Sequence, residues 1–307
     1  MKNHILLVSH LSILFLGPIF FLGVINRTKA ICAGRKGPKL YQTFFDLYRL
    51  LLKKPVYSTT TSWIFQISTS IVLASTVMAG LLAPIVPGFA PISFPIDFVA
   101  FAYLLGIGRL FLVLSGLDTG SSFEGMGSSR EITFAAVVEP AFFIGVGTIA
   151  ALAGNTTFSQ FFHLGIGGSL LFYGLCVIML FVMLQTEAAR VPVDDPNTHL
   201  ELTMIHEVMI LDHSGPDLAI MTYASAVKMT IWLGLLSVMT NPVSPTSNVW
   251  LSISATLGLM GLYAVIVGVV ESVMARLRMS TVPYYLMAAF GAGGAMFVLF
   301  IYQTIRG

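Results

Sequence analysis

A chain of 307 residues that is 56% hydrophobic and only 10% charged, with a mean hydropathy of +0.87, has too little polar surface to clothe a soluble globule of its size, so lipid must solvate most of it. A formal net charge of +2 excludes the broad basic field of a general nucleic-acid binder. Two cysteines 144 residues apart, Cys32 and Cys176, with no C-x-x-C and no paired histidine, exclude an Fe–S cluster or zinc centre built from this chain alone.

The first apolar run, Ile5 to Ile25, is too long for a secretory signal core and is followed by Asn26-Arg27-Thr28-Lys29 rather than a small-residue cleavage site. It predicts a retained helix. A helix crosses a bilayer with roughly 20 apolar residues, because every backbone N–H and C=O must be bonded within the segment. Eight runs qualify, at about 4–25, 63–83, 97–116, 131–152, 167–188, 217–240, 248–274 and 282–304. The fold class is therefore all-α: a single polytopic membrane domain over 1–307, with connections on one side at about 26–62, 117–130, 189–216 and 275–281. No internal repeat is evident, which weakens a transporter built from duplicated halves.

In the connection 26–62, Phe44, Leu47, Tyr48 and Leu51 share one helical face and Asp46, Arg49 and Lys53 the other. That pattern predicts an amphipathic helix lying flat at the membrane surface, against lipid or against cytosolic protein. The stretch 116–130, GLDTGSSFEGMGSSR, lacks the G-x-x-x-x-G-K-[ST] of a phosphate loop, and Ser128 with Glu131 reads as a capping box opening the fourth span. The connection 189–216 carries Asp194, Asp195, Glu201, Glu207 and Asp212 with His199, His206 and His213 spaced seven apart, which a helix would align. A solvated docking loop is the preferred reading over a metal site, since histidines need convergent partners to close a coordination shell. At its start Glu187 and Arg190, spaced i,i+3, are placed to pair at a helix end.

An even number of spans puts both termini on one side. The four connections opposite hold twelve Lys and Arg, Arg27 to Lys54 in the first and Arg130, Arg190, Arg276 and Arg278 in the others, against Lys2 and Arg306 on the terminal side. The positive-inside rule makes the basic side cytoplasmic and leaves both termini outside.

Five ionisable groups within the spans stand out: Arg109, Glu139, Glu187, Lys228 and Glu271. Each is costly in hydrocarbon and is a functional hypothesis by default. Buried carboxylates and lysines exchange protons near neutrality if water reaches them, and they can also merely pair. Arg109 reads as the structural member, its long stem free to snorkel to the interface.

Four segments resemble a known family: GRKGPKLYQTFFDLYRLLLKK at 34–54, SGLDTGSSFEGMGSSREITFAAVVEPAFF at 115–143, EAARVPVDD at 187–195 and ESVMARLR at 271–278. The family is the membrane-anchor subunit shared by respiratory complex I and the group 4 membrane-bound NiFe hydrogenases, including formate hydrogenlyase. The second and fourth segments look more like the hydrogenase-4 branch. The resemblance implies a prokaryotic inner-membrane subunit without a redox centre of its own. It would hold a hydrophilic arm of hydrogenase-like large and small subunits with NiFe and Fe–S centres, beside antiporter-like membrane subunits. It also implies proton-path roles for Glu139, Glu187, Lys228, Glu271, Asp194 and Glu201, and arm-docking roles for Arg35, Gly37, Pro38, Arg190, Arg276 and Arg278. Asn197 and His199 stand where many relatives have carboxylates, Val193 replaces a common aromatic, and the loop is longer before Asp212. These departures weaken quinone binding, leaving a quinone-site subunit as the alternative and a stand-alone ion-coupled transporter as the alternative of another class.

Overall fold

The computed structural model describes residues 2–162, 169–195, 204–243 and 248–306. Its helices are α1 (Lys2–Cys32), α2 (Gln42–Leu51), α3 (Trp63–Leu82), α4 (Asp97–Asp118), α5 (Ser122–Ala153), α6 (Phe158–Phe161), α7 (Leu170–Glu187), α8 (Pro216–Thr240), α9 (Val249–Val273) and α10 (Val282–Arg306). Among the described residues eight of these, all but α2 and α6, are long and apolar enough to cross a bilayer. The chain is an all-α polytopic membrane protein.

Local chemistry sets several of the starts. The Ser62 and Ser169 hydroxyls accept from the backbone N–H groups of Ile64 and Phe172, and the Asn248 carbonyl oxygen accepts from those of Trp250 and Leu251. Pro216 opens α8, where its missing N–H costs nothing. That helix is the central post, every residue from Met229 to Met239 being buried, with α1, α3, α7 and α9 packed around it and α10 against α5 and α7.

The basic-side connections are knitted to one another rather than left free. Ser62 N–H donates to Asp118, Val56 N–H to Ser214, Asp212 N–H to Glu124 and Leu277 N–H to the Pro192 carbonyl. The segment after α1 packs so closely on it that a Cβ at Gly23 would lie 1.9 Å from the Leu40 carbonyl oxygen. Gly23→Ala is therefore expected to force the 34–41 segment off α1. Overpacking of this kind costs about 1–3 kcal/mol, and a lower detergent melting temperature with faster proteolysis after Arg35 or Lys36 would show it.

The fourth span differs from expectation. Its helix begins at Ser122, so most of the anticipated loop 117–130 is helical, and Thr119–Ser121 alone turn the chain, with Gly120 at φ 71°. Ser128 is therefore not a cap: its hydroxyl donates to the Val113 carbonyl of α4 at 3.3 Å. Gly116 leaves room for that hydroxyl, since a Cβ there would lie 2.8 Å from Ser128 Oγ, and Gly127 lets α5 press on Val208 and the Ile205 carbonyl, where a Cβ would meet atoms at 2.2 and 2.9 Å.

The fifth span is short. At 18 residues α7 reaches ~27 Å by helical rise, less than the ~30 Å of a hydrocarbon core, and the chain then turns through Ala189 at φ 49° into backbone that stays buried. Irregular backbone at membrane depth is tolerated only inside protein, and here α5, α8 and the segment 204–210 enclose it.

Candidate functional site: two linked charge clusters

Arg109 is the centre of the inner cluster. It lies nine residues before the end of α4, ~14 Å in at helical rise. Its Nε donates to Glu131 at 3.1 Å, its Nη1 to Glu139 and its Nη2 to Glu187. Lys228 Nζ on α8 approaches the other oxygen of Glu187 at 3.5 Å. One planar guanidinium thus ties α4 to two turns of α5 and to the end of α7, a task its fork of donors suits and an ammonium does not. The snorkelling expected of Arg109 does not occur; its side chain is 9% exposed because three carboxylates hold it inward.

The members differ in exposure. Glu187 is buried, whereas the Glu139 side chain is 49% exposed on the outer face of α5. With all five groups ionised the cluster carries one negative charge in excess.

The outer cluster sits at the basic end. Glu271 of α9 pairs with Lys29 of α1 at 2.7 Å and with Arg190 at 3.5 Å, and Asp194 pairs with Arg276 at 2.9 Å. Asp194 also accepts from the backbone N–H groups of Asp195, Ile205 and His206. The anticipated Glu187–Arg190 pair is absent from the described contacts, because the left-handed turn at Ala189 sends the two side chains to different clusters. Arg190 and Arg276 are likewise turned inward by their carboxylates. Arg35, Pro38 and Arg278 are exposed and Gly37 is partly so. Glu201, Asn197 and His199 lie outside the described residues.

The remaining histidines, His206 and His213, are not aligned by an α-helix, since the described residues between them form a 3-10 turn at Glu207–Ile210. Among the described residues no group of three or more His, Cys, Asp or Glu is arranged to hold a metal ion. His213 stacks on Phe65 with ring centroids 4.0 Å apart, and burial pulls its pKa down to about 4. His206 is held down to about 3 by burial first and then by Lys228, against the pull of Glu187. Glu207, beside Arg190 and Asp194, is pushed up to about 7, chiefly by burial and further by Asp194, with Arg190 opposing. A neutral imidazole and a carboxyl poised near neutrality therefore lie side by side between the clusters.

Two cavities meet there. One of about 20 Å³ is bordered by Arg109, Glu131, Glu187, Asp194, Ala189 and His206. The other, of about 210 Å³, is bordered by Asn26, Ala189, Arg190, His206, Glu207 and Ser225. Ala189 and His206 line both.

Of the cluster, sequence reasoning missed Glu131 and misjudged Arg109. The usable signal was Glu131 and Glu139 at eight residues apart, about two turns of one helix, in a chain where any intramembrane arginine needs a carboxylate.

A family model described as NADH dehydrogenase matches residues 5–302. The chain is 26% identical over 302 residues to "Hydrogenase-4 component C" of Escherichia coli (strain K12), covering 96% of this chain and 95% of that one. It is 25% identical over 286 residues to "Formate hydrogenlyase subunit 4" of the same organism, covering 90% and 92%. In fold it is similar to a chain of the membrane-bound sulfane sulfur reductase, an archaeal respiratory membrane complex, with a TM-score of 0.80 at 16% identity over 96% of this chain and 99% of that chain.

Proposed function

We propose, since the chain belongs to the NADH dehydrogenase family and is a membrane subunit of a complex I-like system, that it anchors a peripheral redox arm of a membrane-bound hydrogenase and couples that arm to proton or ion movement. The names of its two relatives support the hydrogenase setting. On this reading NiFe and Fe–S centres belong to partner subunits, the basic side faces the cytoplasm of a prokaryotic inner membrane with both termini outside, and the arm rests on the exposed surface around Arg35, Pro38 and Arg278.

The observation that carries the coupling role is the inner cluster's unequal charge. Three carboxylates share two cations at membrane depth, so the arrangement is balanced when it holds one proton and unbalanced when it does not. A site whose electrostatics change by one charge on protonation is suited to passing protons on. Glu139, the exposed member, is the exit toward a neighbouring membrane subunit.

Glu139→Gln in the assembled complex in vesicles is the test. Ion movement coupled to turnover should fall roughly 10²-fold, the scale of losing one proton-transfer group, while the arm still co-purifies and reduces a soluble dye. Unchanged coupling removes Glu139 from the path. Transport by the isolated polypeptide would instead establish the stand-alone transporter.

The alternative role of quinone-site subunit is favoured by one feature. An apolar groove of about 300 Å³ runs beneath α2, between Phe44, Leu47 and Tyr48 and the helices carrying Ile19, Leu73 and Tyr223.

A further inference from the structure

The two cavities suggest how a proton reaches the inner cluster. A water molecule needs about 10–15 Å³ of free volume and two to four polar partners. By that measure the larger cavity, of about 210 Å³, has room for several waters among Asn26, Arg190, Glu207 and Ser225, and the smaller, of about 20 Å³, for one between Glu131 and Glu187. Ala189 and His206 line both cavities and so form the wall they share. Ala189 has no side-chain polar atom, which leaves the imidazole as the group able to carry a proton across.

We propose that His206 and Glu207 form a proton inlet, in which Glu207 takes up protons from water in the larger cavity and the His206 ring relays them through the wall to the carboxylates around Arg109. The inference rests on the proposed coupling role and adds the side from which the cluster is loaded. The step balances without any further reactant. One ring nitrogen accepts a proton from the Glu207 side, the other releases its proton to the Glu187 side, and ring rotation or the reverse tautomer shift restores the start.

The fold supports this assignment over plain packing in two ways. Asp194 accepts the His206 backbone N–H at 2.9 Å and so fixes the position of a residue that lines both cavities. Neighbouring His213, by contrast, is spent on a stack against Phe65.

The experiment is proton uptake by vesicles holding the assembled complex, followed with a pH-sensitive dye, for His206→Ala, His206→Gln and Glu207→Gln. His206→Ala should slow coupled uptake roughly 10²-fold, with recovery when millimolar imidazole is added. His206→Gln should be equally slow although it fills much of the same space, and it keeps the test open if the alanine variant fails to assemble. Glu207→Gln should show the same defect without response to imidazole. Wild-type uptake in His206→Gln would overturn the relay, as would a slow His206→Ala variant that imidazole leaves unchanged. A defect in Glu139→Gln alone, with both His206 variants normal, would overturn the inlet and leave the coupling role standing.

Discussion

Replacing Arg109 by leucine is expected to be the most damaging single change in the membrane-spanning part, because it leaves Glu131, Glu139 and Glu187 facing one another at membrane depth with Lys228 as their remaining cation. Removing one partner of a buried ion pair typically costs about 3–5 kcal/mol, since the charge left behind has neither water nor counter-ion. Here α4, α5 and α7 lose their shared tie as well. Arg109→Leu should accumulate poorly in membranes and melt well below the parent in detergent. Arg109→Lys should recover little, because a compact ammonium cannot reach three carboxylates on two helices at once. Adding Glu187→Gln to Arg109→Leu should recover part of the loss, and a double-mutant cycle would measure that coupling. A melting temperature for Arg109→Leu equal to the parent's would show that the cluster contributes nothing to holding these helices together.

The cluster also shows where sequence reasoning reaches and where it stops. Eight spans were legible because each is a near-continuous apolar run close to bilayer thickness, bounded by polar turns. Glu139, Glu187, Lys228 and Glu271 were legible as functional candidates because charge in hydrocarbon is costly wherever it stands. Partnership was not legible. Arg109 reaches carboxylates 22, 30 and 78 residues away, and no local periodicity encodes which helices meet. The Gly- and Ser-rich stretch 116–130 read as loop because its residues favour turns, yet those small residues are what let α5 approach the 204–210 segment. The connection 189–216 read as solvated because it is acidic. Asp194 instead spends its charge inside, on Arg276 and on backbone N–H groups. In α2 the predicted apolar face is present, but Leu47 alone of its four large members is buried, while Phe44, Tyr48 and Leu51 stay exposed beside the apolar groove.

Asp194 carries the second large effect. Its carboxylate accepts from Asp195 N–H at 2.9 Å, Ile205 N–H at 3.1 Å and His206 N–H at 2.9 Å while pairing with Arg276. One side chain thus joins the start of the connection to its 205–206 stretch and fastens both to the segment after α9. In Asp194→Ala these donors lose their acceptor together, and each buried group left unsatisfied costs about 1–3 kcal/mol, more for the charged one. The connection should come away from the membrane domain, giving fast hydrogen exchange at the Ile205 and His206 amides and loss of the bound redox arm. Asp194→Asn keeps one carbonyl oxygen for the amides and gives up the charge that Arg276 needs, so slow exchange should persist at one or both amides while the melting temperature still falls. Because the same carboxylate sets the position of His206, Asp194→Ala should also abolish proton delivery to an inner cluster whose own residues are intact. If the amides of Ile205 and His206 remain protected in Asp194→Ala, the connection is held by its apolar contacts through Val208, Met209 and Ile210, and the carboxylate serves position rather than stability.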